Sequence, residues 1–174
     1  MTNEGFDPIV GNAAGVLILG TFPGEESLKQ KQYYAHPRNV FWDMIAAICD
    51  TVEINDYNTR CDCAKKNGIA IWDVIKSCDR EGSSDGRIKR GHFIVNDFRD
   101  LFSRHSFKAI FFNGQKAAML FKHYVEPTML PCLPQLVTLP STSPAYATIS
   151  KQQKLQCWLE VRACLSTYAR TDQL

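Results

Sequence analysis

A chain of 174 residues with an apolar fraction of 45% has the size of one domain and enough core-forming side chains to exclude wholesale disorder. Twenty Lys and Arg against eighteen Asp and Glu leave a net charge of +2, which excludes a polybasic, histone-like protein but not a local basic face. The distribution is uneven: residues 1–26 hold four acids and no base, while residues 101–171 hold eight bases against Glu126 and Glu160.

Val16–Gly20 is the first compact apolar run and reads as a buried strand closed by glycine. Phe41–Ile48 places Phe41, Ile45 and Ile48 on one helical face, and a second helical pattern, Asp56–Lys66, stops at Asn67-Gly68. Ile69–Val74 is the second strand. Ser77–Gly91 is weakly patterned, and loops of that length in a small domain are usually functional or mobile. Asn96 is the expected N-cap of a helix over Asp97–Arg104. Ala109–Phe112 is the third strand, followed through Asn113-Gly114 by a helix over Gln115–Tyr124. Leu136–Leu139 is the fourth strand. Ser150 and Gln153 fit a capping box that opens a last helix, with Trp158, Val161, Leu165 and Tyr168 at helical spacing. Strands alternating with helices predict a three-layer α/β/α sandwich around a four-stranded, mainly parallel sheet, with residues 1–174 forming one domain.

No segment has the makings of a membrane span. Pro8–Gly24 is short and broken by Pro and Gly, and Pro127–Ser150 carries five of the eight prolines. The acidic N-terminus lacks a signal peptide's layout, so the chain is expected in the cytoplasm, as a monomer, with its cysteines reduced. The seven cysteines include no C-x-x-C pair, so a structural zinc or iron–sulfur site is not expected.

In open parallel sheets the ligand crevice lies beyond the carboxyl ends of the strands, which directs attention to the segments after Gly20, Ile71, Phe112 and Leu139. Gly20-Thr21-Phe22-Pro23-Gly24 is a tight turn whose N–H groups can face a ligand. Tyr34-Ala35-His36-Pro37-Arg38-Asn39 then runs into the first long helix, and it reads two ways. Asn39 is either an N-cap with His36 as a loop hydrogen-bonder, or both side chains serve a site. Asn113-Gly114 is a common turn dipeptide, but a carboxamide there also has the donor and acceptor needed to read the amide edge of a base. Leu139-Pro140-Ser141-Thr142-Ser143-Pro144-Ala145-Tyr146 is a stiff, uncharged, hydroxyl-rich loop suited to phosphate contacts, or an ordinary proline-stiffened connection.

Together the strings GTFPGEES, YYAHPRNVFW, NDF, FFNG and LPSTSPA resemble the uracil-DNA glycosylase superfamily, most closely its hypoxanthine (deoxyinosine) DNA glycosylase branch, over nearly the whole chain. YAHPRNVFW is also similar to the FAHP-x-N-x-FW stretch of mismatch-specific uracil glycosylases. Those relatives carry a catalytic Asn where this chain has Phe22; the deoxyinosine branch also lacks it, and there the residue matching Asn39 takes the activating role. The resemblance further implies that Tyr34 stacks the extruded base and that Asn113 reads it. Tyr146 departs from the small polar residue expected at its position.

The resemblance implies a monofunctional glycosylase, working without metal or cofactor, that leaves an abasic site in single- or double-stranded DNA carrying a deaminated base. In this reading Asn39 holds the attacking water, with His36 supporting the chemistry or bracing the loop. Thr21, Phe22, Tyr34 and Asn113 bind the base, and Ser141, Thr142, Ser143 and Pro144 meet the DNA. Arg87, Lys89 and Arg90 are weaker phosphate candidates. No lysine in these motifs is placed for a Schiff base, so a lyase step is not expected. Two alternatives stay open: excision of uracil, and binding of damaged DNA without catalysis. Near-neutrality predicts weak, weakly salt-dependent non-specific DNA binding.

Overall fold

Four short runs pair side by side: three are so uniformly hydrophobic that they are buried along nearly their whole length, and the fourth, at an edge of the sheet, is partly exposed. The computed structural model describes residues 2–51, 56–79, 92–125 and 134–171. In it, β2 (Val16–Gly20), β3 (Ile69–Asp73), β6 (Ala109–Asn113) and β7 (Gln135–Leu139) form one sheet in the order β3-β2-β6-β7, every pair parallel. Val16, Leu17, Ile18 and Leu19 are each at most 1% exposed. Burial of such side chains contributes about 1.5–3 kcal/mol apiece before ordering costs.

The sheet is covered by helices. On one side α2 (Phe41–Ile48) packs against α6 (Lys151–Thr171) and α3 (Tyr57–Lys66). On the other, α5 (Gln115–Tyr124) lies over β6 and β7, with Phe121 against Phe112 at 5.2 Å. Successive strand side chains point to opposite faces, so Phe111 faces the α2 side. The helical patterns match within two residues. Asp56 caps α3 by accepting the N–H groups of Asn58 and Thr59, and Ser150 and Gln153 form the reciprocal capping box of α6.

One cap is corrected. The short helix α4 (Arg99–Arg104) begins after Phe98, and Asn96 does not cap it. The Asn96 carboxamide instead donates to the Asp73 carbonyl at 2.8 Å, while Asp97 accepts the Arg99 N–H. Four small elements have no counterpart in the sequence reading: α1 (Glu25–Gln30), β1 (Asn3–Glu4), β4 (Ile75–Cys78) and β5 (Phe93–Val95). The three strands make a second, antiparallel sheet in the order β1-β4-β5. Strand β4 takes the start of the stretch expected as a loop from Ser77. The rest of that stretch from residue 80, with Arg87, Lys89 and Arg90, lies outside the described residues, as do Cys132 and the side chain of Tyr168. Among the described residues no helix is long and apolar enough to cross a membrane, and no three His, Cys, Asp or Glu side chains gather to hold a metal ion.

Candidate active site

Register brings the strand ends to one edge: Gly20 pairs with Asp73, and Asn113 with Leu139. Beyond that edge opens a pocket of about 370 Å³, within the size range of small-molecule sites. Its walls include Thr21, Phe22, Tyr34, His36, Asn39, Asn113, Ser141, Thr142, Ser143 and Pro144, so the catalytic, base-binding and loop candidates expected from sequence lie around one cavity, Arg87, Lys89 and Arg90 being outside the described residues. Tyr146 lies at its rim and is 39% exposed.

Tyr34 takes a left-handed backbone conformation, φ 54°, which costs a bulky residue about 1–2 kcal/mol. Its neighbours hold it there. Tyr33 N–H donates to the Tyr57 hydroxyl at 3.0 Å, Trp42 Nε1 to the Tyr33 carbonyl at 2.9 Å, and Ala35 N–H to Ser27 Oγ at 3.1 Å. The result turns the Tyr34 ring flat against Phe41, with centroids 3.7 Å apart and planes 17° from parallel. Phe41 is fully buried and meets Trp42 and Trp158 edge-on. One face of Tyr34 is thus backed by core, and the side chain also borders the cavity. Burial, then the nearby Asp73 carboxylate, push the Tyr33 phenol well above its usual range, so it stays a neutral donor to the carbonyls of Phe6 and Asp7.

Asn39 and His36 close a turn before α2. Asn39 N–H donates to the His36 carbonyl at 2.8 Å, and Asn39 Oδ1 accepts the Phe41 N–H at 3.0 Å. Asn39 stands one residue ahead of the N-cap, Val40, yet still serves one of the helix's first N–H groups. That bond orients the carboxamide and leaves one lone pair on its oxygen and both amide hydrogens for the pocket. His36 Nδ1 accepts the Arg38 N–H at 3.1 Å, which leaves Nε2 as the ring's hydrogen donor. These residues therefore brace the loop, and both border the cavity.

Asn113 is engaged more fully than the sequence shows. Its Nδ2 donates to Thr142 Oγ1 at 2.9 Å and its Oδ1 accepts the Thr142 N–H at 2.8 Å. Thr142 is 1% exposed, so its hydroxyl braces the loop from within, a correction to its expected role as a phosphate donor. The hydroxyls of Ser141 and Ser143 accept the N–H groups of Ser143 and Ala145, shaping the loop while remaining partly exposed. The loop is tied at further points. Val40 N–H donates to the Thr142 carbonyl at 3.2 Å, and Trp158 Nε1 to the Pro140 carbonyl at 2.9 Å. Gly114, at φ 100°, leaves room where a Cβ would lie 3.1 Å from Ser141 Cβ.

Two residues escaped sequence reading. Asp73, 3% exposed, ends β3 and borders the pocket. The strand-end rule had selected its neighbourhood, and an acid closing an apolar run was the available signal. Lys154, 5% exposed, donates from Nζ to the carbonyls of Tyr146 at 2.7 Å and Ser143 at 3.4 Å. Desolvation holds its ammonium below the ordinary lysine range. Its signal was position: residues 154, 158, 161 and 165 share the inward face of α6.

In sequence and in fold the chain is similar to known proteins. The sequence profile of the Uracil DNA glycosylase superfamily matches residues 8–164. A hypoxanthine DNA glycosylase of Methanosarcina acetivorans is 34% identical over 156 residues, 88% of this chain and 94% of the relative. A hypoxanthine DNA glycosylase of Methanosarcina barkeri is 38% identical over 120 residues, 67% of this chain and 74% of the relative. A solution NMR structure of a candidate uracil DNA glycosylase from Methanosarcina acetivorans superimposes with a TM-score of 0.78 at 30% identity, covering 95% of this chain and 99% of that one.

Proposed function

The chain belongs to the uracil DNA glycosylase superfamily, and from that footing we propose that it hydrolyses the N-glycosidic bond of deaminated bases in DNA, chiefly hypoxanthine, leaving an abasic site for base excision repair. One observation carries the proposal. A Tyr34 ring backed by core, the Asn39 carboxamide and a braced hydroxyl loop border a single cavity at the carboxyl edge of the sheet. The names of the two Methanosarcina relatives support hypoxanthine as the base.

A glycosidic bond inside a base stack is out of reach, so the nucleotide must turn out into the cavity, at a cost of about a few kcal/mol that falls for mispaired bases. Hypoxanthine, formed from adenine by deamination, pairs poorly with thymine and is already loosened. Tyr34 offers the extruded ring a stacking partner, with Phe22 on the wall. Cleavage passes through an oxocarbenium-like sugar. Asn39 is not basic enough to take a proton. Its remaining lone pair orients a water toward the anomeric carbon and lays partial negative charge beside the cationic sugar. Backbone N–H groups of the 20–24 turn, with the Nε2 donor of His36, stabilise the charge developing on the departing base. The hydroxyls of Ser141 and Ser143 meet the phosphates. In this proposal the chain acts as one domain, a cytoplasmic monomer, without metal or cofactor.

A duplex with one deoxyinosine, incubated with the protein and then treated with hot alkali, should break at that position. Intact strands at enzyme excess refute the proposal. The same assay with uracil opposite guanine measures the preference between the two bases. Asn39→Ala should lower the single-turnover rate by at least about a hundredfold with duplex affinity nearly unchanged. Equal losses in rate and affinity would remove Asn39 from the chemical step.

A further inference from the structure

Away from the pocket, two thiols meet where α2 packs on α3. Cys49 closes α2, its N–H donating to the Ile45 carbonyl at 2.9 Å, and Cys63 lies in the second half of α3. One thiol donates a hydrogen bond to the other, and both are reduced and half-buried. The Asn67 carboxamide donates from Nδ2 to the Cys63 carbonyl at 2.9 Å and also reaches Cys63 Sγ at 3.8 Å. On the other side Arg162, from α6, stands near Cys49 and pairs with Asp50 at 3.3 Å. Burial holds the Cys49 proton in place, with the Cys63 thiol adding to that effect and the Arg162 charge opposing it. Exchange chemistry at this pair therefore opens at Cys63 rather than Cys49.

We propose that Cys49 and Cys63 form a modification site, closing into a reversible disulfide when a low-molecular-weight disulfide serves as oxidant. The Cys63 thiolate attacks one sulfur of the oxidant, which forms a mixed disulfide and expels one small thiolate. Cys49 then attacks the Cys63 sulfur, making the Cys49–Cys63 bond and breaking the mixed one. Its proton passes to the second departing thiolate. Two protein thiols are thereby oxidised, and one small disulfide is reduced to two small thiols. The second step joins sulfurs already in contact, so the helices need not repack. The Cys63 thiol that helped hold the Cys49 proton is by then capped. The bond ties together two supports of the catalytic loop. Helix α2 starts just after Asn39, and α3 starts at Tyr57, whose hydroxyl accepts the Tyr33 N–H at 3.0 Å. The link joins these helices toward their far ends, and neither cysteine borders the cavity. Its effect is on the durability of the fold, not on the chemistry of the pocket.

The full chain is incubated with glutathione disulfide at mildly alkaline pH, its remaining thiols are alkylated after unfolding, and its peptides are sequenced by mass spectrometry without reductant. Cys49 should be found linked to Cys63, and dithiothreitol should undo the link. The closed loop holds fifteen residues counting both cysteines. A loop of that size should raise the melting temperature by about 6–12 °C, and reduction should reverse the rise. Cys49→Ser and Cys63→Ser should each abolish both the link and the rise. Cys61→Ala, which removes the thiol nearest in sequence, should leave both in place. Thermal unfolding in reductant checks that every variant folds. Glutathione lodged on Cys63 beside an alkylated Cys49, a link through Cys61, or a linked protein with an unchanged melting temperature overturns the proposal. So does a rise that survives in Cys63→Ser. None of these results bears on deoxyinosine cleavage, so the proposed function stands or falls separately.

Discussion

Replacing Asn113 by Ala tests what its carboxamide is for. The substitution deletes two hydrogen bonds, at 2.9 and 2.8 Å, and leaves the N–H and hydroxyl of Thr142 inside a protein that exposes only 1% of that residue. Two net hydrogen bonds are worth about 1 kcal/mol each, and a buried donor left without an acceptor costs a further 1–3, so the loss should be about 3–5 kcal/mol. That is a large share of the roughly 5–15 kcal/mol that holds a domain folded. At this chain length it corresponds to a fall in melting temperature of about 6–20 °C, measured by circular dichroism. Base release should fall with it, because the Thr142 carbonyl accepts the Val40 N–H and so joins the loop to the turn that carries Asn39. Asn113→Asp, which keeps the acceptor and loses the donor to Thr142 Oγ1, should fall between. An Asn113→Ala protein with unchanged melting temperature and abolished base release would refute the bracing role and return Asn113 to reading the base.

Lys154→Met keeps the buried stem and removes the donors to the Tyr146 and Ser143 carbonyls; KM for the duplex should rise severalfold with a smaller change in kcat, and an unchanged KM would show the loop holds its shape without the ammonium. Burial, with Cys63 adjacent, pushes the Cys49 thiol up to about 12. At pH 8.5 iodoacetamide should therefore modify exposed Cys157 well before Cys49, as peptide mass mapping would show. The same shift makes stability fall as pH rises from about 9, where the unfolded thiol ionises, toward about 12, because the folded state retains the proton.

The four parallel strands were legible nearly to the residue: β2, β3 and β6 because strands covered on both faces are written as unbroken apolar runs, and the partly exposed β7 because Leu136–Leu139 is a short run closed by proline. The antiparallel sheet was not. Its strands are two to four residues long, and Ile94, in β5, is 63% exposed. Helix α1 has six residues and one buried side chain, Ser27, too little to print a periodicity. The strand-end rule and the resemblance together pointed to Tyr34, His36, Asn39 and Asn113, and all four flank the cavity. What residue type did not convey was engagement. Thr142 is 29 positions from Asn113, and no local pattern announces that they pair. Asp73 looks like a strand boundary and Lys154 like a solvated helix residue. Only burial shows otherwise.

The stack of Tyr34 on Phe41, itself wedged between two tryptophans, has a consequence for how such a protein changes over generations. A base lying on Tyr34 would be the outermost layer of a column whose inner layers hold the molecule together. The position of that outer surface is then fixed from below, by side chains that never meet DNA. A smaller residue at Phe41 or Trp158 would loosen the core and widen the slot in the same stroke. Selection for a different base and selection for a stable fold therefore act on the same few rings, and neither can be altered while the other is held still.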